Sequence, residues 1–331
     1  MKFSRKLRNG IEIRLDPLLG WQTRINPERA RRPKQSSGGI SREFSGGTPQ
    51  ECPFCPPNLE HGTPMFPPEI AREGRIVRGQ TRIFPNLNPF GQYHAVGVMT
   101  ERHFVAPDEF SLSIVLDCLE ASKDFFRRAH RTNRGAKYPI FLWNYMPPSA
   151  GSIVHPHVQL LLESAPLPIV ELEMEAARSY FEESGKNFWR DLVHEERTRS
   201  ERFIGALGSA CVLASFAPRG FNEVQVIMPE AFCIAKLNSG QMEQLARCMC
   251  RILDAYARKG LGSFNFLVFS APFSVDLPYF SLHAKMISRP YPSGVYTNDT
   301  GPFERLCDVW VIDTMPELLA SELAGYFSSS K

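Results

Sequence analysis

The stretch "NYMPPSAGSIVHPHVQLLLE", residues 144–163, places two histidines and a glutamine at every second position. Its apolar, β-branched end is typical of a strand, in which successive side chains point to opposite faces of a sheet. His155, His157 and Gln159 should therefore share one face. The opposite face then carries apolar side chains, namely Val154, Val158 and Leu160. Pro156 cannot donate to a sheet, which indicates the start or the edge of a strand.

The segment before the histidines, "PPSAGS" at 147–152, combines two prolines, a glycine and two serines. Such a turn can direct backbone N–H groups and hydroxyls at an anion. Two imidazoles and an amide beside an anion-binding turn favour a site for phosphate chemistry. A strand whose polar face simply meets water would show the same spacing, so the spacing leaves both interpretations open.

Length and composition indicate a globular protein with two domain-sized units in its 331 residues. Apolar residues make up 43% and charged residues 22%, and a net charge of +3 does not favour a nucleic-acid partner. The basic start "MKFSRKLRNG" has no apolar run behind it, and no stretch reaches membrane-spanning length. Eight cysteines without a disulfide framework favour free thiols in the cytoplasm.

The order of predicted elements repeats along the chain. "RIVRGQTRIFPNLNPFGQYHAVGVMT" predicts strands joined by a turn, "APDEFSLSIVLDCLEASKDFFRRAHR" at 106–131 predicts a helix with an acidic start, and the histidine strand follows. A strand, a helix and two strands recur in "FNEVQVIMPEAF", "SGQMEQLARCMCRILDAYARKG", "SFNFLVF" and "YFSLHAKMISRP". His283 lies 128 positions after His155, which indicates an internal duplication. A charged, helical segment at about 170–200 joins the copies.

Cys52 and Cys55 form a C-x-x-C pair within "CPFC", a spacing that metal sites and redox pairs share. A redox pair should lead into a helix, and the two prolines that directly follow disfavour that interpretation. A structural zinc site takes four ligands, commonly two thiolates and two imidazoles. His103 and His155 are candidates to complete it. The alternative is a loop histidine beside reduced cysteines.

Several of these motifs resemble, in the same order, the galactose-1-phosphate uridylyltransferase branch of the histidine-triad superfamily. "DPLLGWQTRINPERARRPKQ" is similar to the opening of that family, "CPFC" to its zinc pair, and "NPFGQYHAV" with "TERHF" to the segment carrying the third zinc ligand. "NYMPPSAGSIVHPHVQ" resembles its active-site motif, with Asn144 eleven positions before His155. The resemblance covers nearly the whole chain.

The resemblance implies a role for each matching residue. The implied ligands of a structural zinc ion are Cys52, Cys55, His103 and His155. His157 is implied as the nucleophile that takes the nucleotidyl group, and Gln159 as a hydrogen-bond donor to the transferring phosphoryl. The implied phosphate-binding and substrate-binding residues are Ser152, Asn144, Gly151, Arg29 and Arg32.

The sequence departs from the family pattern in two places. Val158 stands where glycine is commoner, and the second copy reads His283-Ala284-Lys285 where family members often carry an H-x-H metal pair. Lys285 thus corresponds to His157, so only the first copy is predicted to be catalytic. A second, iron-type site is not expected from this pattern, and the sugar-contacting residues are not recognisable.

The resemblance implies an α+β, duplicated histidine-triad-like fold, with one half at 1–200 and a degenerate half at 201–331. It implies ping-pong transfer of a nucleotide between a nucleotide sugar and a sugar 1-phosphate, as in galactose metabolism, through a nucleotidyl-histidine. The alternatives are a phosphorylase that uses inorganic phosphate, and a zinc-stabilised nucleotide-binding protein without turnover. A cytoplasmic homodimer is implied, with no membrane or nucleic-acid partner.

Overall fold

The computed structural model describes residues 1–31, 48–273, 275–291 and 298–328. Strands and helices within these ranges form an α+β fold. The strands are β1 (Ser4–Arg8), β2 (Ile11–Leu15), β3 (Gln22–Ile25), β4 (Ile76–Arg78), β5 (Thr81–Pro85), β6 (Tyr93–Val98), β7 (Tyr138–Tyr145), β8 (His157–Glu163), β9 (Phe203–Leu207), β10 (Ala210–Ala214), β11 (Phe221–Met228), β12 (Phe264–Phe269), β13 (Leu282–Ser288) and β14 (Trp310–Ile312). The α-helices are α1 (Asn58–Gly62), α2 (Leu112–Thr132), α3 (Pro168–Ser184), α4 (Phe188–Arg199), α5 (Ser239–Arg258), α6 (Pro302–Leu306) and α7 (Pro316–Ser328).

The main sheet has the strand order β4-β5-β6-β8-β7-β12-β13-β11-β10-β9, and every neighbouring pair is antiparallel. Its halves meet where β7 pairs with β12. On either side of that seam the predicted repeat recurs, as β6-β8-β7 and as β12-β13-β11. The prediction of a duplicated α+β fold is confirmed. The division at residue 200 falls between α4 and β9 and stays a prediction.

The two long helices, α2 and α5, pack against each other, and residues from both fill the main hydrophobic core with residues of the sheet. Each has a large apolar stripe and an N-terminal cap. Ser111 Oγ accepts the Ile114 N–H at 3.4 Å, and Asn238 Oδ1 accepts the Gln241 N–H at 2.9 Å. These caps fix where the helices begin.

The sequence-based start of the first long helix was wrong. Its acidic residues lie in a separate 3-10 helix, Pro107–Glu109, and the α-helix begins only at Leu112. The Glu109 carboxylate accepts the Ala106 N–H at 3.1 Å and thereby closes the short turn. Glu109 therefore stabilises that turn rather than the start of the long helix.

The charged segment between the copies is helical, as predicted, but it forms two helices, α3 and α4. Gly185 ends α3 in the left-handed conformation, with φ +70°, and its N–H donates to the Phe181 carbonyl at 2.8 Å. Asn187 then caps α4 through the Arg190 N–H. None of the helices in the described ranges combines the length and apolar content needed to cross a bilayer.

A second, small sheet joins the two ends of the chain in the order β1-β2-β3-β14. The C-terminal strand β14 runs parallel to β3, with Val311 opposite Arg24. Arg14 on β2 donates to both carboxylate oxygens of Glu317 on α7 at 2.9 Å. The N-terminal segment is therefore held to the C-terminal segment by strand pairing with β14 and by an ion pair with α7.

Candidate active site and metal centre

The histidine strand lies in the first half of the main sheet, between β6 and β7. Strand β8 begins at His157, directly after Pro156, and His155 precedes it. The alternation of faces holds, because the apolar residues at even positions, before and within β8, contribute to the main core: Val154, Val158, Leu160 and Leu162. On the other face, the Phe54 ring lies 6.2 Å from the His155 ring and 5.2 Å from the His157 ring, between centroids.

Four side chains from three segments meet on that face. Cys52 and Cys55 come from the "CPFC" loop, His103 from the loop after β6, and His155 from the approach to β8. Their ligand atoms all lie within 4.8 Å of one another. The Cys55 Sγ lies 3.4 Å from Nδ1 of both His103 and His155, and the Cys52 Sγ lies 3.7 Å from His155 Nδ1. The cluster could hold a metal ion.

The surroundings of the cluster suit a metal. The Nε2–H of His155 donates to the Thr100 carbonyl at 2.7 Å, which leaves Nδ1 unprotonated and directed at the thiols. Burial lowers the pKa of His155 to about 4, so its ring stays neutral. Burial, with the neighbouring Cys52, raises the pKa of Cys55 to about 11. Two thiolates here need a cation, which is what the predicted zinc ion would supply.

The predicted nucleophile, His157, has its tautomer set by the backbone. Its Nδ1–H donates to the His155 carbonyl at 2.8 Å, so the lone pair is on Nε2. The side chain is buried, with 7% exposed, and burial lowers its pKa. An imidazole held in this way can act as a nucleophile through Nε2.

Gln159 is oriented by His94, a residue that the sequence analysis did not single out as functional. The Phe90 N–H donates to His94 Nδ1 at 3.3 Å, so the ring proton lies on Nε2. His94 Nε2 lies 3.0 Å from Gln159 Oε1, the acceptor of that proton, and 3.1 Å from Asn86 Nδ2. The Gln159 amide nitrogen therefore faces away from His94, and it bonds to no other side chain or carbonyl in the described ranges. Burial lowers the pKa of His94, which favours the neutral ring.

Asn144 lies near the end of β7, the strand that pairs directly with the Gln159 strand β8. Its Oδ1 accepts a hydrogen bond from Asn265 Nδ2 at 2.7 Å. The Asn144 amide nitrogen, like that of Gln159, makes no hydrogen bond within the described part of the chain. The site thus presents two amides whose oxygens are occupied and whose N–H groups can donate to an anion.

Gly151 is required where the turn folds back on β7. A Cβ there would lie 2.8 Å from the Asn144 carbonyl oxygen and 3.1 Å from that of Met146. Ser152 follows in the same loop and is exposed. The turn enters through a 3-10 helix, Pro147–Ser149, and Ala150 after it is left-handed with φ +70°. Gly151 therefore serves the close packing of the turn.

Of the two arginines of the opening motif, Arg29 lies within the described residues. Arg29 is exposed in a 3-10 helix, Pro27–Arg31, that follows β3. No hydrogen bond or ion pair joins its side chain to the histidine strand among the described residues. Arg32 lies outside the described residues. The substrate-binding role of both arginines stays a prediction.

The corresponding place in the second half contains an ion-pair cluster. His283 Nε2 lies 3.2 Å from Glu173 Oε2, and Lys285 Nζ lies 3.8 Å from Glu173 Oε1. Burial alone would raise the pKa of Glu173, but His283 and Lys285 outweigh it and hold the pKa below its ordinary value. Lys285 thus supplies positive charge beside a buried carboxylate, at the position where the first half carries His157.

A comparison with known protein sequences identifies a relative of this chain. A protein of Archaeoglobus fulgidus, described only as uncharacterized, is 30% identical over 320 residues, which cover 97% of this chain and 93% of the relative. The chain belongs to the same family as this archaeal protein. No family model matches the sequence.

Solved structures share the fold. An ADP-glucose phosphorylase from Arabidopsis thaliana, with bound ADP-glucose, superposes with a TM-score of 0.74 at 19% identity, over 97% of this chain and 100% of that chain. A GalT-like protein from Arabidopsis thaliana gives 0.72 at 18% identity, over 94% and 98%. A uridylyltransferase gives 0.70 at 21% identity, over 95% and 98%. The chain therefore has the fold of the uridylyltransferase-like proteins, as the motifs predicted.

Proposed function

We propose that the protein is a nucleotidyltransferase that works by double displacement through a nucleotidyl-His157 intermediate. The observation that carries this proposal is the 2.8 Å hydrogen bond from His157 Nδ1 to the His155 carbonyl, because it leaves Nε2 free to attack. A nucleophilic imidazole needs this tautomer, whereas a nucleotide-binding protein without turnover does not require it. The donor is a nucleotide sugar, since two of the structures that share the fold are a uridylyltransferase and an ADP-glucose phosphorylase.

In each half-reaction one bond forms at the α-phosphorus and another breaks. His157 Nε2 attacks the α-phosphorus, an N–P bond forms, and the P–O bond to the sugar phosphate breaks, which releases sugar 1-phosphate. A phosphate oxygen of the second substrate then forms a new P–O bond while the N–P bond breaks. The amide N–H groups of Gln159 and Asn144 donate to the negative charge that develops on the phosphoryl oxygens.

A zinc ion held by the four-residue cluster would have a structural part. The cluster includes His155, whose carbonyl accepts the His157 proton, and the "CPFC" loop carries Phe54, whose ring packs on His157. The ion would fix the loop and the approach to β8, and so the position of the nucleophile.

The acceptor in the second half-reaction is a sugar 1-phosphate. A phosphorylase is the second candidate, with inorganic phosphate as the acceptor, and the Arabidopsis ADP-glucose phosphorylase structure favours it. Both candidates share the same first half-reaction. Product formation from UDP-glucose or ADP-glucose with either galactose 1-phosphate or inorganic phosphate distinguishes them.

Isotope exchange tests the proposal. Labelled glucose 1-phosphate is incubated with unlabelled UDP-glucose or ADP-glucose and enzyme, without any other acceptor. Double displacement predicts that label enters the nucleotide sugar. His157→Ala should lower the exchange rate by more than about 10⁴-fold, because a lost nucleophile is not replaced.

His194→Ala is the matched control for this test, since His194 is exposed on α4. It should exchange like the wild type. Exchange that persists in His157→Ala, or wild-type protein that binds the nucleotide sugar without any exchange, would contradict the proposal.

A further inference from the structure

The degenerate C-terminal half reaches the site through Asn265. Strand β12 pairs with β7 so that Asn265 lies directly opposite Asn144. The Asn265 side-chain amide donates to Asn144 Oδ1 at 2.7 Å and to the Ser149 carbonyl at 2.8 Å. One side chain of the second half thus contacts both the predicted phosphate-binding asparagine and the turn before the histidines.

The direction of these hydrogen bonds is decided by Arg289. A guanidinium carries donors only. Arg289 Nη1 lies 3.0 Å from Asn265 Oδ1, so that atom must be the amide oxygen and accept. The other end of the Asn265 amide must then donate, and Asn144 Oδ1 must accept from it. The hydrogen bonds from Arg289 to Asn265 and from Asn265 to Asn144 therefore turn the Asn144 side-chain N–H groups away from Asn265.

Arg289 is itself held in place by Asp299. Its Nε lies 2.9 Å from Oδ2 and its Nη2 lies 2.6 Å from Oδ1, a forked pair that fixes the plane of the guanidinium. The side chains of Arg289 and Asp299 are only 17% and 12% exposed. Partial burial and a planar fork make this a rigid support.

We propose that Asn265, supported by Arg289 and Asp299, is a positioning residue that holds Asn144 as a hydrogen-bond donor to the transferring phosphoryl group. This inference rests on the proposed function. It gives the second half, which carries Lys285 where the first half carries His157, a direct part in the site. Asn265 acts through Asn144 and needs no contact with substrate.

A double-mutant cycle of Asn144→Ala and Asn265→Ala, read out by the isotope exchange rate, tests this proposal. Asn265→Ala should lower the rate by roughly ten- to a hundredfold, because Asn144 is no longer held in its donating orientation. If Asn265 acts through Asn144, the double variant should be no slower than Asn144→Ala alone. A purely structural role predicts instead that the two losses multiply.

Asn265→Asp makes the test sharper with almost no change in shape. A carboxylate can only accept, so the Asn144 amide must turn its N–H groups toward residue 265 and present its oxygen to the phosphoryl. This variant should exchange more slowly than Asn265→Ala. It also keeps a hydrogen-bond acceptor for Arg289, which guards against a variant that fails to fold.

Asn238→Ala is the structural control, because Asn238 caps α5 through the Gln241 N–H and does not contact the site. It should lower the melting temperature and leave the exchange rate per folded molecule unchanged. Wild-type exchange in Asn265→Ala and Asn265→Asp, or multiplying losses in the cycle, would overturn the positioning role alone. Absence of exchange in the wild type would overturn the proposed function, and this inference with it.

Discussion

At the residue scale, the donor direction of Gln159 depends on a histidine that lies 65 positions earlier in the chain. His94 is buried, and both ring nitrogens have partners: Nδ1 accepts the Phe90 N–H, and Nε2 lies beside Gln159 Oε1 and the Asn86 amide. Without that proton on Nε2, the amide could rotate and turn its oxygen toward a phosphate. The Gln159 amide oxygen and a phosphate oxygen would then repel each other, and the hydrogen bond to the phosphoryl group would be lost.

His94→Phe tests this arrangement. The aromatic ring retains the packing against Phe90, whose centroid lies 4.3 Å from that of His94, but it has no N–H for Gln159. We expect the isotope exchange rate to fall by about tenfold while the melting temperature changes little. An unchanged rate in His94→Phe, compared with His194→Phe on the surface, would show that the orientation of Gln159 does not depend on His94.

The candidate site residues of the motif at 155–159 could be predicted from the sequence, but the residues that contact this site from elsewhere in the chain could not. Alternation along a strand is enough to place His155, His157 and Gln159 on one face. His94 contacts Gln159 through pairing of β6 with β8, and Asn265 contacts Asn144 across the seam between the halves. Such contacts depend on strand register over long separations, which spacing in the sequence does not reveal.

At the element scale, the "CPFC" loop links the metal cluster to the nucleophile. Cys52, Phe54 and Cys55 are buried and form a small apolar cluster of their own with residues of β5 and β6. A loop of this kind, with little secondary structure, would depend on a bound ion for its position. Loss of the metal should therefore release Phe54 from His157.

Cys52→Ala, or removal of the metal with a chelator, tests the structural role of the cluster. A ligand present at about 100 times its Kd stabilises the folded state by about 2.7 kcal/mol, and we expect a loss of about this size in the free energy of unfolding. Zinc content by atomic spectroscopy should fall from one ion per chain to none. Cys307→Ala, at an exposed cysteine, should change neither quantity. Full stability without metal would contradict the role.

Most helices and strands of the two copies follow from local pattern, since each has an apolar period of its own. The start of α2 did not follow, because the acidic residues before it were equally compatible with a helical first turn and with the separate 3-10 turn. Strand β8 is shorter than its apolar pattern suggests, because Pro156 keeps His155 out of the ladder.

At the scale of the whole molecule, a charged network ties the two ends of the chain to the second half. Glu317 on α7 accepts from Arg14 on β2 and, at 2.7 Å, from Arg202 before β9. Both arginines are fully buried, and Arg202 also pairs with Glu196 at 2.8 Å. Removal of Glu317 would leave two buried cations short of a partner.

The network predicts a pH dependence of stability. Burial alone would raise the pKa of Glu317, but Arg14 and Arg202 outweigh it and hold the pKa below its ordinary value. The pKa of this carboxyl group is lower in the folded protein than in the unfolded chain, where it is near 4.3. The ionised group therefore stabilises the fold fully above the unfolded-state pKa, and this stabilisation is lost as the pH falls through the folded-state pKa. Glu317→Gln should therefore cost about 2 kcal/mol at pH 7 and progressively less below about pH 4.

Urea unfolding of the wild type and Glu317→Gln between pH 3 and pH 7 measures this difference. Glu322→Gln, on the same helix but exposed, is the control and should change the free energy of unfolding little at any pH. A gap between wild type and Glu317→Gln that stays constant down to pH 3 would contradict the role of the ionised carboxylate.

The duplication could be predicted from the repeated order of elements, but the way in which the copies combine could not. They form one continuous sheet through β7 and β12, and the small sheet pairs residues 22–25 with residues 310–312. Both pairings join segments more than a hundred residues apart, and no local period marks them. The function of the second half as a support for Asn144 follows only from that geometry.

Peptide mapping of the trapped intermediate tests the central claim most directly. Wild-type protein is mixed with UDP-glucose and, separately, with ADP-glucose, quenched in base because N–P bonds are labile in acid, digested and sequenced by tandem mass spectrometry. The account predicts one UMP or AMP on His157, and on no other residue. A nucleotide on a different side chain, or no adduct under conditions where labelled glucose 1-phosphate exchanges, would contradict it.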